Sequence, residues 1–131
     1  MSEAINPPGW PRPSGYANGM LADGRFLAIS GQIGWNERGE LVSDDFLEQA
    51  AQALRNVAAV LTAAGGSPEH LVRLTWYVVD TDEYRAALRG LGAVYRGIFG
   101  EHYPAMALVQ VAGLLEDGAL VEIEASAVLP R

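Results

Sequence analysis

Leu120-Val121-Glu122-Ile123-Glu124-Ala125-Ser126-Ala127-Val128-Leu129 is the stretch whose reading decides the fold. It alternates as an extended strand does, with successive side chains on opposite faces. Val121, Ile123, Ala125, Ala127 and Leu129 form an all-apolar row; Leu120, Glu122, Glu124, Ser126 and Val128 form a mixed row. The apolar row requires a covering layer, and the mixed row faces away from it. A second strand runs through 105–111, with Met106, Leu108 and Gln110 on one side and Ala105, Ala107, Val109 and Val111 on the other. Leu115-Glu116-Asp117-Gly118 reads as a hairpin joining the two, because Asp-Gly favours tight turns.

Upstream, the covering layer can be read from three- and four-residue spacing. Phe46, Ala50, Ala53, Leu54, Val57, Val60, Leu61 and Ala64 make one apolar helical face. Asp45 with Glu48 is a capping box at its start, and Gly65-Gly66 ends it in a left-handed cap. Ser67-Pro68-Glu69 opens a short helical turn. Residues 71–79, rich in β-branched and aromatic side chains, form a strand. Asp80 with Glu83 repeats the capping pattern before a second helix to about Phe99, with Tyr84, Leu88, Leu91, Tyr95 and Ile98 on one face. Gly90, Gly92 and Gly97 each weaken that helix by up to about 1 kcal/mol, while allowing close backbone packing.

The N-terminal part begins with an irregular, extended arm. Prolines at 7, 8, 11 and 13 fix φ and remove ladder donors, so residues 5–13 cannot form regular structure. The Trp10 indole is expected to pack against the body or a neighbouring subunit. Residues 16–21 form a weak strand, Ala22-Asp23-Gly24 a hairpin turn, and residues 25–30 the returning strand. The order strand, strand, helix, strand, helix, strand, strand predicts an α+β sandwich, two helices on one face of a mixed sheet.

A chain of 131 residues is expected to form a single domain, 1–131, with 1–13 as its Pro-rich arm. At 50% apolar and 19% charged residues, the bulk of it is not disordered. With no cysteine, disulfides, Cys-ligated metals and thiol nucleophiles are excluded. His70 and His102, the only histidines, cannot make a His-rich metal site. Sixteen acidic residues against 9 basic ones, net −7, disfavour nucleic-acid binding. The N-terminus lacks the features of a signal peptide, and no apolar run approaches the roughly 20 residues of a membrane span, so a cytoplasmic setting without membrane contact is expected. Both sheet faces carry apolar area, which favours homo-oligomerisation through the uncovered one.

Glu122 is the leading chemical candidate. A carboxylate among apolar neighbours at an interface is partly desolvated and suited to proton transfer near neutral pH; the plain reading is an interface carboxylate with a structural partner. Glu124, about 7 Å along the same face, reads as structural. Ser30-Gly31-Gln32 is either a place where a ligand meets bare backbone or a bulge. Tyr16 is a phenol donor or a packing residue, and His102 a base or a solvated loop residue. No serine triad and no dinucleotide- or Walker-type glycine loop is evident.

Ser30-Gly31-Gln32-Ile33, Leu61-Thr62-Ala63-Ala64-Gly65, Tyr103-Pro104-Ala105, Val109-Gln110-Val111 and Gly118-Ala119-Leu120-Val121-Glu122-Ile123-Glu124-Ala125 resemble the RidA-type reactive intermediate/imine deaminases, also labelled YjgF-like or endoribonuclease L-PSP. The likeness spans about residues 14–129. It implies a chorismate-mutase-like fold and a homotrimer with inward-facing sheets and small-molecule clefts between subunits. It also implies cofactor-free hydrolysis of enamines and imines, such as 2-aminoacrylate, to a keto acid and ammonia. By motif position Glu122 takes the role of acid and base, and Tyr16, Ser30 and Gly31 line the cleft.

The chain departs from the family pattern at the anchor. Met106 stands where the family carries a carboxylate-binding arginine, Leu108 where it carries cysteine, and Leu88 or Gly92 where it carries a pocket asparagine. A thioether cannot clasp a carboxylate as a guanidinium fork does. The expectation is a hydrolase acting on a less polar imine or enamine, aromatic or CoA-linked, rather than on the usual 2-imino acids. The alternatives are a non-catalytic trimeric binding protein and, against the charge, a ribonuclease or translation inhibitor.

Overall fold

Strand β6 (Val121–Leu129) lies inside a four-stranded sheet of order β3-β6-β4-β5, in the computed structural model, which describes residues 2–131. Its partners are β3 (Arg25–Gln32) and β4 (Leu71–Val78), both antiparallel; β4 pairs in parallel with the edge strand β5 (Ala105–Gln110). The apolar row of β6 is buried and its mixed row half-buried, as the alternation requires.

The helices α1 (Phe46–Ala63), α2 (Thr81–Ala86) and α3 (Leu88–Phe99) cover the apolar face. The Asp45 carboxylate accepts from the Glu48 N–H at 3.0 Å, while the Asp45 N–H donates to Ser43 Oγ at 2.9 Å in place of the box's second half. At the other end Gly65, at φ +86°, donates to the Thr62 carbonyl and Gly66 to that of Leu61, a Schellman cap. The single helix expected over 80–99 is two, separated at Ala87. Glycines at 90 and 92 withdraw helix propensity from the turn after the break. Gly90 also lets α3 approach α1: a β-carbon there would stand 2.6 Å from Leu47 Cδ2.

One polar side chain is fully enclosed by this layer. Gln49 of α1 is 0% exposed; its Nε2 donates to the carbonyls of Ser43 (2.8 Å) and Gly118 (2.9 Å), and its Oε1 accepts from the Leu120 N–H (2.8 Å). It ties the first turn of α1 to the residues entering β6.

Several sequence-based expectations are corrected. Leu115–Gly118 is not a hairpin, because β4 lies between β5 and β6 and the chain crosses over it. Asp23-Gly24 is not one either. β2 (Gly19–Ala22) pairs instead with β1 (Ser2–Ile5) in a separate two-stranded sheet, so regular structure precedes the prolines. Gly24, at φ +150°, bends the chain against the Leu129 carbonyl as it changes sheets. Trp10 is 61% exposed on the protomer, carried outward by a turn in which its N–H donates to the Pro7 carbonyl, so of its two expected packing places its own body is ruled out. After the arm, Ala17 bridges to Ala105, its N–H donating to the Pro104 carbonyl at 3.1 Å, and lays the chain along the β5 edge. Among the described residues no helix is long and apolar enough to cross a membrane.

Candidate functional site

Two groups of candidate residues form, on opposite faces of the sheet. On the uncovered face, β3 shifts register between Ile29 and Gln32, so Ser30-Gly31 is a β-bulge. The Glu122 carboxylate lies against the α-carbon of Gly31; a methyl group there would overlap its oxygens. Among the described residues Glu122 has no ion-pair partner. Glu124, by contrast, accepts a 2.5 Å hydrogen bond from the Tyr77 hydroxyl, which fits its structural reading. That bond, followed by desolvation and the nearby carboxylates, raises the Tyr77 pKa above the ordinary tyrosine range. Ser30 Oγ accepts from Gln32 Nε2 at 3.2 Å.

The second group stands on the helix-covered side, at the β5 edge. Met106 pairs with Leu74 and Leu108 with Trp76, so both side chains share the face of those buried residues. They border a cavity of about 820 Å³. The segment Arg12–Tyr16 forms another wall, and α2 and α3 contribute Tyr84, Leu91, Gly92 and Arg96. Its aromatic lining is paired ring on ring: Tyr84 meets Trp76 edge-on at 5.8 Å, and Tyr95 stacks on Tyr103 at 5.2 Å. Tyr95 donates to the His102 carbonyl at 2.6 Å, and burial drives its hydroxyl pKa well above the usual range; burial raises Tyr84 too. The His102 ring is held by its Nε2, which donates to the Leu71 carbonyl at 2.8 Å. Among the described residues no cluster of three or more His, Asp or Glu could hold a metal ion.

Tyr16, Met106 and Leu108 thus meet in one cavity, and Ser30, Gly31 and Glu122 meet at another place. Within one copy the sheet separates the two groups. The sequence reading missed Arg12 and Arg96, both of which line the cavity. The available signal was Gly92, four residues before Arg96 and therefore beneath it on the helix. A β-carbon on Gly92 would stand 3.2 Å from a guanidinium nitrogen of Arg96.

The sequence matches the family described as Endoribonuclease L-PSP over residues 11–129. The human 2-iminobutanoate/2-iminopropanoate deaminase is 37% identical, over 86% of this chain and 79% of that protein. A solved Yersinia pestis protein of unknown function, from the conserved Rid family, superposes with a TM-score of 0.83 at 37% identity, covering 98% of both chains. The E. coli protein TdcF, solved with bound serine, gives 0.71 at 31% identity over 97% of this chain and 98% of that one.

Proposed function

Because this chain belongs to the endoribonuclease L-PSP family of RidA-type proteins, we propose that it hydrolyses the C=N bond of an imine, or of an enamine through its imine tautomer, releasing ammonia. The observation that carries the reading is the Glu122 carboxylate, seated on the bare α-carbon of Gly31 without a cationic partner among the described residues. Such a carboxylate takes a proton from water as its oxygen adds to the imine carbon. It passes that proton to nitrogen to give a carbinolamine, then takes the carbinolamine's hydroxyl proton and delivers it to nitrogen as the C–N bond breaks and its electron pair leaves with ammonia. One water is consumed, a carbonyl compound is formed, and the glutamate ends as it began.

The cavity and Glu122 lie on opposite faces, so the reading builds each cleft from two copies, one giving the cavity and the next its Glu122 and Gly31. The uncovered face suits such an assembly: Phe26 is 69% exposed and Val109 44% exposed on it. The homotrimer implied by the sequence resemblance is the arrangement proposed. Met106 and Leu108, with the aromatic walls beyond them, favour an apolar substrate body over the smallest 2-imino acids.

The test generates imines in situ with an amino-acid oxidase and follows the imine remaining by semicarbazide trapping. The phenylalanine-derived imine is expected to be cleared well ahead of 2-aminoacrylate. Glu122→Gln slows turnover by about 100-fold or more. No acceleration by the protein, or unchanged turnover in Glu122→Gln, overturns the reading. A pure binding protein, the alternative, retains ligand without hydrolysing anything.

A further inference from the structure

The cavity beside Met106 has a charge pattern at odds with the whole chain. The protein carries net charge −7, yet Arg12 and Arg96 both line this cavity and no Asp or Glu does. Neither arginine belongs to an ion pair among the described residues, where the pairs are Arg38–Glu40, Arg85–Asp82 and Arg131–Asp23. Two guanidinium groups without an ion-pair partner in one concave site attract an anion, though Arg12 also borders an adjoining pocket lined by Glu69 and Glu101, and a planar fork binds a carboxylate through two parallel hydrogen bonds.

Local structure makes room for one of them. Arg96 lies one helical turn after Gly92, and its guanidinium rests over that glycine, 3.2 Å from where a β-carbon would stand. A side chain at 92 would occupy this space. The missing side chain leaves the Arg96 head over the helix surface, at the wall that also presents Leu91 and Tyr95. Apolar and aromatic groups supply the remaining lining near it, including Met106, Leu108 and Tyr84.

We propose that Arg96, supported by Arg12, is the anion anchor of this cavity, so that its ligand is an anion carried on an apolar or aromatic body. The anchor stands on helix α3 instead of strand β5, and the thioether of Met106 is left to contact the body of the ligand. Taken with the proposed hydrolysis, on which this part rests, the substrate is an anionic imine with an aromatic or large aliphatic group.

Binding separates the anchor from the chemistry. Isothermal titration of the assembled protein with phenylpyruvate, a carbonyl product analogue, is set beside titration with its uncharged methyl ester. The wild-type protein is expected to bind the acid at least about tenfold tighter than the ester, with the preference shrinking at high salt. Arg96→Gln abolishes most of that preference and leaves ester binding in place; Arg96→Lys keeps part of it, since the charge remains without the fork. Equal binding of acid and ester, or an unchanged preference in Arg96→Gln, overturns the anchor. If the preference and its loss are observed but imines are not hydrolysed, the anchor stands and the proposed activity falls.

Discussion

The Glu122 carboxylate and the α-carbon of Gly31 are in such close contact that no side chain fits between them. The bulge at Ser30-Gly31 and the pleat of β6 bring two neighbouring strands to this contact, and the absence of a β-carbon is what permits it. Gly31→Ala is therefore expected to push the carboxylate aside. Imine clearance should fall by about tenfold or more, since small displacements of a proton-transfer group are costly, while thermal stability changes little. Stability and turnover measured on the same preparation check this; full activity in Gly31→Ala would mean that the contact does not position Glu122.

Alkaline pH is expected to destabilise the protein through its tyrosines. Tyr77, Tyr84 and Tyr95 all have raised pKa values in the folded state, from the hydrogen bond to Glu124 at Tyr77 and from burial at the other two. In this window the unfolded chain binds fewer protons than the native one, so stability falls as pH rises. The contribution is complete below the unfolded tyrosine value of about 10 and is lost above it. Urea midpoints between about pH 8 and 11 should decline at the upper end, less steeply in Tyr95→Phe. That variant also gives up the bond to the His102 carbonyl, at about 1 kcal/mol near neutrality.

Gln49→Leu keeps most of the side chain's volume and removes three hydrogen bonds. It takes away the partner of the Leu120 N–H and of the Ser43 and Gly118 carbonyls, leaving an apolar side chain in the fully buried place of the amide. A loss on the order of 3 kcal/mol is expected, since each orphaned group costs about 1–3 kcal/mol. Equilibrium urea unfolding measures it, and a loss below about 1 kcal/mol would show that the amide is not a tie.

What could be read from the sequence was local. The period-two pattern at 121–129 and the caps around α1 act within a few residues, and the structure reproduces the burial alternation of β6, the Asp45 cap and the Gly65-Gly66 cap. The pairing of strands is not local. Leu115–Gly118 has hairpin chemistry, yet β6 pairs with β4, because an apolar strand gains more from two neighbours inside the sheet than from its sequence neighbour at the edge. Ser2–Ile5 is too short and too weak in β propensity to announce itself; its pairing with β2 makes it a strand. Tyr16, Met106 and Leu108 could be found because each sits in a recognisable motif. Arg96 had only Gly92, one turn before it, as a signal, and Arg12 had none, because only the folded chain brings a proline-rich segment and a helix to one cavity.

The bridge between Ala17 and Ala105 also limits how the sheet can grow. Unbounded stacking of sheets side by side needs two open margins on every molecule. Here the first residue of the β5 margin is taken by the molecule's own lead-in, through Ala17. A second molecule adding a strand at that end of β5 has to displace this internal contact first.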